Sequence, residues 1–190
     1  MQTLTNLKKC LFGGALVAAG LATHEAHAQE FDFIDSSVSV HAYPYVYMYS
    51  GPGFWSLYAA YFNDTFGGAY ASARGRPTLI ENYSAAYGGL LAEASVDSRF
   101  TVTSNTFATL SYNDASLSFI DLTTGTTLLS VNNTEGSRVF ELLVEHEYQY
   151  ISTAMTTVNN HQYASLTIPA PASTMAFGLC GLLASRRRRI

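Results

Sequence analysis

Phe140-Glu141-Leu142-Leu143-Val144-Glu145-His146-Glu147-Tyr148-Gln149-Tyr150 is the stretch that decides the fold class. Phe140, Leu142, Val144, His146, Tyr148 and Tyr150 share one parity, while Glu141, Leu143, Glu145, Glu147 and Gln149 form a largely polar set on the other. Side chains of an extended backbone alternate between two faces, so the pattern predicts strand with one face on a core and one in water. Two layouts satisfy it: a single long strand, or two strands with a turn near Glu145–Glu147.

The same rhythm recurs on both sides. Phe100 and Val102 alternate with Arg99, Thr101 and Thr103. Leu117 and Phe119 alternate with Ser116 and Ser118, until Ile120 and Leu122 blur the faces. Thr, Ser, Val, Tyr and Phe dominate residues 31–167, as strands prefer, and no helical period stands out there. Turn signals fall at Tyr112-Asn113-Asp114, Thr124-Gly125 and Asn132 to Gly136. The segment Asp121 to Thr126 reads as a hairpin whose Gly125 takes a positive φ. Short strands with turns at sandwich-like spacing predict an all-β fold, a single antiparallel β-sandwich or jelly-roll-like domain.

The first half of that domain is aromatic. Tyr43, Tyr45, Tyr47 and Tyr49 share one face of an extended segment, with Pro44, Val46 and Met48 on the other. Pro44 cannot donate to a ladder, which places this strand at an edge. Gly51-Pro52-Gly53 breaks it, and Phe54-Trp55-Ser56-Leu57-Tyr58 follows. Tyr45, Tyr47, Tyr49 and Trp55 form a candidate ligand face, able to stack on sugar rings or on another protein. The same row serves equally as the buried side of an edge strand or as a tyrosine ladder.

The two ends carry a different message. Lys8 and Lys9 precede an apolar run from Cys10 through Leu21, and Ala26-His27-Ala28 follows before Gln29. A positive start, a short apolar segment and an A-x-A site predict a secretory signal peptide over 1–28, cleaved after Ala28 and handled by the secretory translocon and signal peptidase. At the other end, Pro169-Ala170-Pro171 forms a rigid, non-helical lead-in. Ala172 to Ser185 carries no charge, and Arg186, Arg187, Arg188 and Arg189 come next. The 17 residues from Pro169 to Ser185 would make a helix of about 26 Å, a minimal transmembrane span. Four arginines are costly to translocate and are expected on the cytoplasmic side, which puts the domain outside, in agreement with the signal.

Pro169-Ala170-Pro171, the short apolar run and Arg186–Arg189 together resemble a PEP-CTERM sorting tail over 168–190, with Ala170 where the family more often has Glu. The resemblance implies an exosortase substrate: a membrane cysteine transpeptidase of that type removes the helix near the proline motif. It also implies an inner-membrane-anchored precursor, then a cell-envelope, surface or extracellular product in exopolysaccharide-producing, biofilm-forming bacteria, with exopolysaccharide as a partner. Residues 90–167 resemble the β-sandwich that often precedes such tails. A plain single-span anchor is the alternative reading of the same residues.

Between the ends lies one domain, 29–167. Cys10 and Cys180 both fall outside it, so no disulfide staples it. Residues 29–168 hold four basic side chains, Arg74, Arg76, Arg99 and Arg138, against thirteen carboxylates, a net charge of −9. Such a domain repels nucleic acid and anionic headgroups, so no nucleic-acid partner is expected.

Chemistry is sparse. Glu145-His146-Glu147, with Glu141 and His161, is the one cluster with metal-ligand character; on a strand His146 points away from both glutamates, whereas a turn there would make a weak cation site possible. A solvated turn with charged tips is the plainer reading, and no metal or cofactor is expected. No G-x-S-x-G elbow or phosphate loop occurs, and His41, His146 and His161 are far apart in sequence. The expectation is therefore a non-enzymatic, exported surface or extracellular-matrix protein processed through its tail, the alternative being a secreted carbohydrate- or protein-binding module.

Overall fold

A computed structural model describes residues 30–63, 67–157 and 159–169. The expected signal peptide with Ala26 and Ala28 lies outside the described residues, as do Ala170, Pro171 and Arg186–Arg189 of the tail. Pro169 is described and exposed. Among the described residues none is helical; the chain is all-β and antiparallel. Its strands are β1 (Phe31–Ala42), β2 (Tyr45–Ser50), β3 (Trp55–Asn63), β4 (Gly67–Arg76), β5 (Leu79–Tyr87), β6 (Ala92–Val102), β7 (Thr106–Asp121), β8 (Thr126–Leu142), β9 (Tyr148–Thr156) and β10 (Asn160–Thr167).

Instead of two separate sheets, one ten-stranded sheet rolls up and nearly closes. Its order is β2-β1-β6-β9-β7-β10-β5-β4-β3, with β8 on the far side of β7. Strand β7 makes the roll possible. Along one side it pairs with β8 for its whole length. Along the other, its first half (109–113) pairs with β10 and its second half (116–121) pairs with β9. One layer, β2-β1-β6-β9, thus faces the other, β10-β5-β4-β3, and β7 turns the corner between them. Strand switching at a bulge is a general way to build such corners.

The corner is written in the residues. Thr106, Ala108, Leu110 and Tyr112 are buried; then Asn113 and Asp114 intervene, and Ala115, Leu117, Phe119 and Asp121 are buried on the opposite parity. Asp114 sits at φ 51°, and Asn133 in β8 at φ 49°. Register shifts separate Tyr112/Ala115 and Ala115/Leu117. The two turns expected at Tyr112–Asp114 and Asn132–Gly136 are therefore bulges inside long strands. Asn and Asp tolerate the left-handed region wherever the chain needs it, in a turn or a bulge alike. The hairpin at Gly125 is as expected, with φ +68°.

Large side chains fill one end of the core. Phe100 meets Phe31 edge-on at 4.7 Å and stacks on Tyr148 at 5.8 Å, and Phe119 stacks on Tyr148 at 5.8 Å. Trp55, Ile80, Leu166 and Leu110 lie in one cross-strand row of the other layer. The other end is built from alanines, including Ala71, Ala92, Ala94 and Ala154. Between them Asn82 crosses the core, its Nδ2 donating to the Ala94 carbonyl at 2.8 Å. Ser36 and Ser98 pair at 2.7 Å, and burial pushes the Tyr150 phenol well above its usual range.

Phe140–Tyr150 proves to be two strands. The ladder stops at Leu142 and resumes at Tyr148, with Glu145 at φ 76° in the turn. Phe100 has no exposed surface and touches four aromatic rings. Phe100→Ala is expected to cost about 3–5 kcal/mol, read as a lower denaturant midpoint with an unchanged slope.

Candidate functional site

Strand β2 pairs only with β1, so it is an edge strand as expected. Tyr45, Tyr47 and Tyr49 stand opposite Ala42, Val40 and Val38, which are buried. Directly opposed residues share a face, so the tyrosines extend the core side of the sheet. They lie where the roll fails to close: no ladder joins β2 to β3, and the Tyr45 and Tyr61 rings meet at 6.4 Å instead. Tyr45 and Tyr47 remain about half exposed, and Tyr49 donates to the Pro52 carbonyl at 2.6 Å. These side chains line shallow clefts of about 520 and 370 Å³ along the seam.

Trp55 does not join them on the surface. It is 5% exposed and lies against Phe33 at 6.4 Å. Gly75 makes its space, since a Cβ there would come within 2.5 Å of the indole Cε2. Its side chain packs in the core and also lines the cleft of about 520 Å³ that Tyr47 and Tyr49 share.

The acidic cluster disperses. His146 Nδ1 meets Asp121 Oδ2 at 2.8 Å, and its ring stacks on Tyr148. Glu147 is bound by Arg99, and its N–H donates to Thr123 Oγ1 at 2.8 Å. Glu141 lies on exposed β8, while His161 stacks on Tyr83 in a different part of the sheet. Among the described residues no three His, Cys, Asp or Glu side chains converge. Burial opposes the charge on Asp121, but hydrogen bonds from His146 and Thr124 outweigh it and hold the carboxyl below its usual value.

The outer face of β3-β4-β5-β10 went unnoticed in the sequence. Tyr58, Tyr70, Tyr83 and His161, one from each strand, form a chain of ring contacts at 5.2, 5.5 and 6.3 Å. Small residues sit opposite large ones: Ser72 between Tyr58 and Tyr83, Ala85 beside Tyr70, and Gly68 between Phe62 and Tyr87. A Cβ on Gly68 would lie 2.5 Å from the Tyr87 ring, so the glycine lets that ring rest on the sheet. The result is a groove of about 610 Å³ with the Arg74–Glu81 pair at 3.4 Å in its lining. The signal was present: Tyr58 and Phe62, and Tyr83 and Tyr87, recur at even spacing. Only pairing across four strands gathers them.

Among the described residues of β3, β4, β5 and β10, the charged side chains are Arg74, Arg76 and Glu81. The carboxylates collect elsewhere, as Asp32, Asp35, Glu93 and Asp97 on β1 and β6, and as Glu135 and Glu141 on β8. Comparisons with protein-family models, with curated proteins and with solved structures return no match.

Trp55→Ala is expected to lower stability by about 3–5 kcal/mol in denaturant melts, so any loss of binding in that variant accompanies loss of the fold. Asp121→Asn is expected to cost about 1–2 kcal/mol at pH 7. A depressed carboxyl stabilises above its unfolded pKa of about 3.9, and that contribution fades as pH falls further. The gap between Asp121→Asn and the parent should therefore narrow below about pH 4 in midpoints measured across pH.

Proposed function

We propose that this chain is an exported, non-catalytic surface or extracellular-matrix protein: a flattened, sandwich-like β domain carried between a signal peptide and a PEP-CTERM-like tail. One observation carries the reading. The sheet starts at Phe31, three residues beyond the expected cleavage at Ala28, and its last strand ends at Thr167, two residues before Pro169. The described strands fill the interval between the two terminal patterns. The lead-in is also consistent: Pro169 is exposed, and Ile168 just before it is tied to the fold by its N–H bond to the Thr78 carbonyl at 3.0 Å. Within this reading the domain is cargo for an exosortase-type transpeptidase.

A second reading, a binding module, is favoured by the outer aromatic groove. Monomeric surfaces rarely gather so many rings without use. The two readings are compatible, since a delivered domain still needs something to hold at its destination.

Fractionating the organism that makes the protein, with mass spectrometry of both mature ends, tests the first reading. The expected product begins at Gln29, ends before Arg186 and leaves the cytoplasm. A product that keeps Arg189-Ile190 points to a permanent anchor, and a cytoplasmic product that keeps Met1 removes export altogether.

A further inference from the structure

We infer that the groove on the outer face of β3-β4-β5-β10 binds an uncharged polysaccharide chain, its sugar rings resting on Tyr70, Tyr83 and Tyr87 and its hydroxyls meeting the Arg74–Glu81 pair. The inference rests on the binding-module reading and locates its site away from the Tyr45–Tyr49 seam.

Three observations carry it. The first is the kind of apolar surface. The groove is lined by Phe62, Tyr70, Tyr83, Tyr87 and Tyr163 with small Ala and Ser residues between, and no Leu, Ile, Val or Met takes part. Flat rings with hydroxyl rims, spaced by small residues, suit a ligand that is itself a flat ring with C–H faces and hydroxyl edges. The second is rigidity. Tyr58, Tyr70 and Tyr83 brace one another edge-to-face, at interplanar angles of 69° and 70°, and Tyr87 rests over Gly68. A pre-ordered platform loses little side-chain entropy on binding.

The third is charge. The domain carries −9 overall, which repels a polyanion, yet this face bears little charge of its own. Within the groove's lining Arg74 is matched by Glu81 on the neighbouring strand, while Arg76 stands at the end of β4 outside it. The pair therefore offers donors and acceptors side by side and adds no net charge to the groove. That combination recognises vicinal hydroxyls, not carboxylates or sulfates. A shallow groove open across several strands also accommodates the interior of a chain.

Affinity electrophoresis of residues 29–169 in gels containing soluble β-glucan, galactomannan, dextran or alginate tests this, provided circular dichroism and a cooperative melt confirm that this piece folds; otherwise the full chain in detergent is used. Retardation by at least one neutral polymer and none by alginate is expected. Tyr83→Ala combined with Tyr87→Ala should weaken it about tenfold at an unchanged fold, and Tyr83→Phe should keep most of it. Retardation by alginate alone, or full retention in the double variant, overturns the assignment. If Tyr47→Ala instead abolishes binding, the site belongs to the seam and the binding-module reading survives without this groove. Absence of retardation in every polymer ends both.

Discussion

The architecture depends on one extra residue in β7. An antiparallel sheet rolled into two facing layers must hand its hydrogen bonds from one layer to the other, and a strand of strict alternation cannot do so while keeping its apolar side inward. Asp114, held at φ 51°, inserts the needed step. Before it Leu110 and Tyr112 face the core; after it Leu117 and Phe119 do. Without the inversion Ser116 and Ser118 would take the buried positions. Strand β8 follows with its own left-handed Asn133, and Gly136 leaves room for Tyr112, whose hydroxyl would lie 2.7 Å from a Cβ there.

From that corner the two faces of the molecule acquire different characters. The layer of β1 and β6 shows carboxylates to solvent, and its inner side supplies Phe31, Phe33, Phe100 and much of the aromatic core. The layer of β3, β4, β5 and β10 lines its inner side mostly with small residues beyond the row of Trp55, Ile80 and Leu166, and Tyr58, Tyr70 and Tyr83 stand outside. A core end made of alanine brings the layers close, and Asn82 bonding to Ala94 across it is possible only at that separation. Large residues inside one layer and outside the other are two results of the same packing problem.

Residues that looked alike in the sequence take unlike places for the same reason. Tyr45, Tyr47 and Tyr49 seal an open seam, Tyr70 and Tyr83 pave an outer surface, and Tyr148 and Tyr150 are buried. Parity alone assigns a face, but not which face is inner. Trp55 follows parity into the core, where Gly75 on the adjacent strand receives it. Neither partner announces the other along the chain. Glu145, His146 and Glu147 separate because the ladder breaks before them, sending His146 to Asp121 and Glu147 to Arg99.

Local rules reach as far as the local chain does. Period-two alternation identified strand at Phe100–Val102, Leu117–Phe119 and Tyr148–Tyr150; Pro44 marked an edge, and Gly125 a hairpin, because each property belongs to a few adjacent backbone units. Asn113-Asp114 and Asn132-Asn133 were legible only as places where the backbone turns left-handed, since a turn and a bulge ask the same of φ. Which one forms depends on whether another strand lies alongside, as β8, β9 and β10 lie alongside β7. The groove of Phe62, Tyr70, Tyr83 and Tyr163 belongs wholly to tertiary structure, because its members stand on four strands brought into register by hydrogen bonds between distant segments.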